Sequence, residues 1–185
     1  SHHDNMKLSR IIPTALLVLI AAPVFTGCAD DVKTTWEKYA DWRNTNEQWI
    51  QQQLARTDAQ GRPLFTTYTP SYAPSSTIHY RFIGEQHPEN LQPYYTSSAT
   101  VNYTVRLYDG TLIDSAANFT SALNSASLIA GWSIAIQQMH VGDSIEAILP
   151  YNVAYGSTGR DGINPYSALR FNIRLVDLPA YETRP

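Results

Sequence analysis

The chain has 185 residues, of which 43% are hydrophobic and 16% charged, and a formal net charge of −3. That length supports one globular domain with a buried core, plus additional segments. No block of Lys and Arg occurs, which excludes the electrostatic footprint of a nucleic-acid binder.

"SHHDN", ahead of Met6, reads as a tag remnant or a misplaced start. From Met6 the pattern is secretory. Lys7 and Arg10 form a basic n-region, and the 15-residue run "IIPTALLVLIAAPVF", with two prolines, is short for a membrane span. "TGC" follows and ends at Cys28, the single cysteine, so an intrachain disulfide is ruled out. A small residue and then Cys after an apolar run resembles the lipobox of bacterial lipoproteins, with Phe25 where that motif prefers Leu. The resemblance implies cleavage before Cys28, lipidation of Cys28, and an outer-membrane anchor on the periplasmic or surface face of the envelope. Ala29 follows where an inner-membrane retention signal would have Asp, and "CADD" is similar to the acidic export tags of Bacteroidota lipoproteins. Without Asp4, Lys7 and Arg10 the mature chain would hold 11 basic against 15 acidic residues, a net −4. Acyl chains, not charge, would then hold it to lipid.

Residues 30–57 read as one helix. Trp36, Tyr39, Arg43, Asn46, Trp49, Ile50, Gln53 and Leu54 fall near helical spacing, with Trp42 to one side. Such an aromatic-rich face either packs on the domain that follows or forms a partner or dimer surface. "DAQGRP" stops the helix at Gly61 and Pro63. Pro63, Pro70 and Pro74 mark 62–76 as a linker or extended arm. The expected organisation is therefore a tag remnant and leader over 1–27, a lipid anchor and helix over 28–61, the arm over 62–76, and a folded domain over 77–180.

From residue 77 the period becomes two. Ile78, Tyr80 and Phe82 share a face in "IHYRFI", and "GEQHPENLQPYYTSS" is a long loop. Val101, Tyr103, Val105 and Leu107 alternate with polar residues. Asp109-Gly110 suits a two-residue type I′ turn, with "TLIDS" as the return strand. "SIEAIL" and "ALRFNIRLV" are further strands, and Leu169, Phe171, Ile173 and Leu175 face one way in the last. Alternation of this kind predicts an antiparallel sheet with one wet face. The one helix between the strands begins in "IAGWSIAIQQMHVGD", where Trp132, Ile136 and Met139 form an apolar stripe. One helix covering the dry face of one sheet gives an α+β domain.

Chemistry by nucleophile, phosphate or metal finds no motif. The histidines lack metal spacing, "GSTGRDG" lacks the Lys-Ser/Thr of a P-loop, and no Gly-x-Ser-x-Gly elbow occurs. What remains is a set of aromatics attached to loops, which suits an apolar cleft with few polar handles.

Four blocks resemble the FKBP-type peptidyl-prolyl isomerases in order: "VNYTVRLYDGTLIDS", "LIAGWSIAIQQMHVGD", "LPYNVAYGSTG" and "PYSALRFNIRLVDL". The resemblance covers about residues 77–178. It implies an FKBP-like five-stranded antiparallel sheet wrapped around one short helix, preceded here by the N-terminal helix. It implies peptidyl-prolyl cis-trans isomerase activity on proline-containing polypeptide clients, with no cofactor, no metal and no nucleic acid. Carried over, the catalytic set is Tyr103, Asp114, Trp132, Tyr155 and Phe171. The substrate-binding set is Ile113, Phe119, Leu128, Ile129 and Ile163, with Phe119 in the loop after the first hairpin. In the family the Trp indole is the pocket floor, and the Tyr155 hydroxyl and Ile129 N–H equivalents bond substrate carbonyls. Ile113 stands where the family usually has Phe, Ser127 where Glu is common, and Asn164 where Pro is frequent. The flap loop, Gly156 to Ile163, is one residue shorter than the commonest form. The competing reading is a non-catalytic FKBP-like chaperone or subunit of an outer-membrane assembly.

Overall fold

The computed structural model describes residues 32–180. The expected leader and the lipidation site Cys28 lie outside them. Two compact units divide the chain, Ser1–Lys38 and Tyr39–Pro185. The described part of the first holds one short helix, α1 (Thr35–Lys38). A capping box starts it: the Thr34 N–H donates to Glu37 Oε2 (2.9 Å) and the Glu37 N–H to Thr34 Oγ1 (3.3 Å).

The single helix expected over 30–57 is broken and shorter. Tyr39, at φ −105° and ψ 21°, leaves the helical region, and α2 (Ala40–Leu54) begins after it. α2 also ends before the Gly61 and Pro63 signals. Asp58 Oδ1 accepts the N–H groups of Gln60 (2.9 Å) and Arg62 (3.0 Å), so a side-chain-capped turn competes with further helix.

The second unit is built on one six-stranded antiparallel sheet. Its strands are β1 (Thr66–Tyr68), β2 (Ile78–Phe82), β3 (Ser98–Arg106), β4 (Leu112–Ala122), β5 (Ser144–Leu149) and β6 (Leu169–Asp177). They lie in the order β1-β2-β5-β6-β3-β4. The five expected strands are present. The sixth, β1, comes from the proline-rich arm, where three residues pair with β2 from Thr66↔Tyr80 to Tyr68↔Ile78. Pro63 precedes and Pro70 follows this pairing, so no ladder donor is missing within it.

α3 (Ala130–Ile136) fills the concave side. Its residues Trp132, Ile134 and Ile136 join Val101, Val105, Ile145, Ala147, Leu149, Phe171 and Ile173 in the main core. Gly131 lets the helix approach so closely. A Cβ there would lie 2.5 Å from the Leu149 side chain and 2.9 Å from the Val153 carbonyl oxygen.

The opposite face is not simply wet. β5 is buried at five of its six positions, because both of its faces are covered. Ile145, Ala147 and Leu149 face α3, while Ile148 joins Trp49, Ile50, Phe65 and Ala168 in a second cluster under α2. Glu146 shares that second face. It is 2% exposed and is held by Arg81, whose Nη2 lies 2.7 Å from Oε2. The aromatic face of α2 is therefore spent on the chain's own sheet.

The first hairpin also differs from expectation. Gly110 has φ +89°, but Asp109 is not in the left-handed region that a type I′ turn requires. The Gly110 N–H donates to the Leu107 carbonyl (3.0 Å) and the Leu107 N–H to Thr111 (3.0 Å). The connection is a three-residue loop ending in a left-handed glycine, which fits a strand pair one residue out of two-residue register.

Candidate active site

Two irregularities in the β3–β4 ladder shape the site. Between Val101↔Phe119 and Tyr103↔Ala116, Asn102 faces two residues, Ala117 and Asn118. Asn118 takes φ 53°, and its N–H donates to Asn102 Oδ1 (2.8 Å). This bulge moves Phe119 onto the inward face that strict alternation from Ala116 would deny it. Phe119 thus lies on β4, not in a following loop. A second shift, between Val105↔Asp114 and Arg106↔Leu112, leaves Ile113 as the extra residue, so Ile113 and Asp114 both reach the same cavity.

The cavity is about 430 Å3 and opens at the N-terminal end of α3. All ten expected residues of the domain line it: Tyr103, Ile113, Asp114, Phe119, Leu128, Ile129, Trp132, Tyr155, Ile163 and Phe171. Trp132, 4% exposed, is the floor. Tyr103, Phe171 and Phe119 surround it with ring centroids at 5.0, 5.4 and 6.3 Å, mostly edge to face. The Trp132 indole N–H is buried and meets no acceptor among the described residues.

Polar groups sit at the rim. The Tyr103 hydroxyl donates to Asp114 Oδ2 (2.7 Å), and Asp114 Oδ1 accepts the Ser115 N–H (2.8 Å). Burial, reinforced by the hydrogen bond to Asp114, pushes the Tyr103 phenol up to about 12. Across the mouth, Arg160 Nη1 donates to the Tyr155 hydroxyl oxygen (3.1 Å), and its guanidinium lies 5.5 Å from the Tyr155 ring centroid. That bond uses an oxygen lone pair and leaves the Tyr155 proton available for donation. The Ile129 N–H, at the residue preceding α3, likewise donates to no backbone or side-chain group among the described residues. The flap is pinned by the paired bonds Arg160 N–H to Ile163 O (2.9 Å) and Ile163 N–H to Arg160 O (2.8 Å), which keep Ile163 4% exposed at the pocket wall.

Ser127, Val105, Arg160, Asp161 and Leu169 complete the lining, and of these only Ser127 is placed at the rim by the family resemblance. Val105 and Leu169 carried the inward phase of their strands, which was signal enough. Arg160 sits in a glycine-rich turn, where a charge ordinarily reads as solvated. Among the described residues no three His, Cys, Asp or Glu side chains gather as a metal site would require.

A twisted antiparallel sheet closed over one short helix, with an aromatic pocket at that helix's start, defines the FKBP-like class of α+β folds. A peptidyl-prolyl cis-trans isomerase from Pseudomonas syringae superposes with a TM-score of 0.63 at 22% identity, covering 76% of this chain and 95% of that one. Residues 90–176 match the family model of FKBP-type peptidyl-prolyl cis-trans isomerases. The chain is 35% identical over 98 residues to Fkbp12 of Drosophila melanogaster, covering 50% of this chain and 86% of that protein. It is 38% identical over 89 residues to the macrophage infectivity potentiator of Trypanosoma cruzi, covering 46% of this chain and 45% of that one. The match thus spans about half the length of this last relative. The chain belongs to the FKBP-type peptidyl-prolyl cis-trans isomerase family.

Proposed function

We propose that the chain accelerates cis–trans rotation about X–Pro bonds of polypeptide clients, and that its clients are secreted or outer-membrane proteins in the cell envelope. One observation carries the reading: ten residues scattered from Tyr103 to Phe171 converge on one aromatic pocket, with two donors at its mouth that meet no acceptor among the described residues.

The chemistry needs no nucleophile. Rotation is slowed by a barrier of about 18–20 kcal/mol from amide resonance. Resonance places negative charge on the carbonyl oxygen and positive charge on nitrogen, and the twisted transition state loses that separation. A proline ring resting on Trp132, among Tyr103, Phe119 and Phe171, sits where the planar, charge-separated form is poorly solvated. The Tyr155 hydroxyl and the Ile129 N–H hold flanking carbonyls and fix the client's orientation. Arg160 orients the Tyr155 hydroxyl by occupying one of its lone pairs. Tyr103 holds Asp114 at the rim, so the carboxylate stays out of the ring's path.

The test is an isomerisation assay on a short X–Pro peptide. Wild type should accelerate isomerisation, and Tyr155→Phe should lower kcat/KM by about fivefold to tenfold, the worth of one hydrogen bond. Trp132→Leu should lose more, since it removes the floor. No acceleration over buffer by the wild type refutes catalysis and leaves the non-catalytic reading. We assign the envelope location to lipidation at Cys28. Among the described residues no helix is long and apolar enough to cross a membrane. Intact mass of the protein from a bacterial envelope should show cleavage before Cys28 and added acyl mass, and an unmodified Cys28 refutes the anchor.

A further inference from the structure

A second depression, of about 580 Å3, lies beside the aromatic pocket, and Leu128 and Ile129 line both. Its floor is Leu123 and Ile134, 1% and 4% exposed. Its outer walls are Tyr72 and Tyr95, 67% and 53% exposed. Among the described residues no charged one lines it, whereas Asp114, Arg160 and Asp161 all reach the neighbouring pocket. Tyr72 belongs to the proline-rich arm, upstream of the residues that match the family model.

The arm is built to stay in place. Thr69 Oγ1 and Thr77 Oγ1 share a hydrogen bond (2.7 Å) that closes the base of its loop. The Ala73 N–H donates to Pro70 O (3.1 Å) and the Ser76 N–H to Ala73 O (3.0 Å), forming two successive turns. Asn152 Nδ2 donates to the Ser75 carbonyl (2.8 Å), tying the arm to the segment after β5.

Continuity decides what the groove would hold. Ile129, whose N–H has no hydrogen-bond partner among the described residues, lines both depressions. A client whose carbonyl accepts that N–H has its proline on one side of Ile129 and its next residues on the other. We propose that the groove is a second subsite, taking apolar side chains of the client segment that flanks the prolyl bond on one side. This rests on the isomerase reading for the occupant of the first pocket. An uncharged floor and two aromatic walls select aliphatic and aromatic side chains over acidic or basic ones.

The test uses the full chain and three fluorescent decapeptides with the same central Leu-Pro. One has Gly/Ser flanks, one carries Leu and Phe on the N-terminal flank only, and one carries them on the C-terminal flank only. Fluorescence anisotropy gives each affinity, and the rate on a Leu-Pro tetrapeptide gives kcat/KM. One of the two apolar-flank peptides should bind about tenfold tighter than the Gly/Ser peptide, the effect of burying one large apolar side chain. The other should match the Gly/Ser peptide. The double variant Tyr72→Ala/Tyr95→Ala should erase the gain and leave tetrapeptide kcat/KM unchanged. Equal affinity for all three peptides, an equal gain on both flanks, or a gain that survives the double variant overturns the proposal. A wild type that does not accelerate the tetrapeptide refutes the isomerase reading alone, because the flank dependence of binding still decides the groove.

Discussion

Tyr103 shows how one residue carries several roles. It is on the inward phase of β3, it packs edge to face on Trp132, and its hydroxyl holds Asp114. Its phenol is raised from 10.0 to about 12, first by burial and then by the Asp114 bond. A raised folded-state pKa means that the bond contributes fully below the unfolded value and fades as pH rises through the folded one. Tyr103→Phe should therefore be less stable than wild type at neutral pH, with the gap closing above about pH 10 toward 12. Denaturant midpoints at stepped pH measure the gap. The difference in tyrosinate absorbance between the two proteins should show the missing group titrating near 12 rather than 10; a group titrating near 10 refutes the assignment. At this scale the sequence was readable: Tyr103, Trp132 and Phe171 each stood on an apolar stripe, and the four family blocks turned that stripe into a pocket. Arg160 was not readable, because nothing in "GSTGRDG" says that a charge will fold back onto Tyr155.

Elements were readable where a period ran long enough. β3 and β6 alternate over nine residues each, and their inward faces are those the alternation predicts. β4 was not, because its two ladder shifts break the alternation at Ile113 and Asn118, the places that aim residues at the pocket. β1 has three residues and no period; only its pairing with β2 defines it. That pairing carries a pH dependence of its own. His79 lies directly opposite Thr67, with Nδ1 2.8 Å from Oγ1, and is 7% exposed. Burial lowers its pKa below the usual 6.5, so the folded chain holds it neutral. The unfolded chain takes up the proton first, so stability from this group is present above 6.5 and lost as pH falls through the folded value. Thermal unfolding should show a drop between neutral and mildly acidic pH that is shallower in His79→Gln, which keeps a side-chain amide for Thr67 but cannot titrate. Equal slopes for the two proteins would refute the assignment.

At the scale of the molecule, α2 packs on the sheet behind the site. Its face was expected either to pack on the domain or to await a partner, and it packs. The contacts are specific as well as apolar. The Trp42 indole donates to Ser167 Oγ (2.9 Å), and Ser167 Oγ donates to the Asn164 carbonyl (2.7 Å). Arg43 lies 5.6 Å from the Tyr166 ring centroid. Asn46, 2% exposed, accepts the buried Ala168 N–H (3.0 Å) and donates to the Trp42 carbonyl (2.8 Å). The partners outside α2 all lie in 164–168, the stretch that leads from Ile163 at the pocket wall into β6. No sequence signal joins residue 46 to residue 168, because the link is one hydrogen bond from a backbone N–H to a side-chain oxygen, between segments of unrelated period. Asn46→Ala should leave the Ala168 N–H buried without an acceptor, at a cost of about 1–3 kcal/mol. Urea unfolding reads that cost directly. The same variant loosens the support behind Ile163, so KM for X–Pro peptides should rise more than kcat falls. Trp132→Leu, which removes the floor itself, should instead lower kcat. A stability loss in Asn46→Ala with KM unchanged would show that α2 braces the sheet without bracing the pocket.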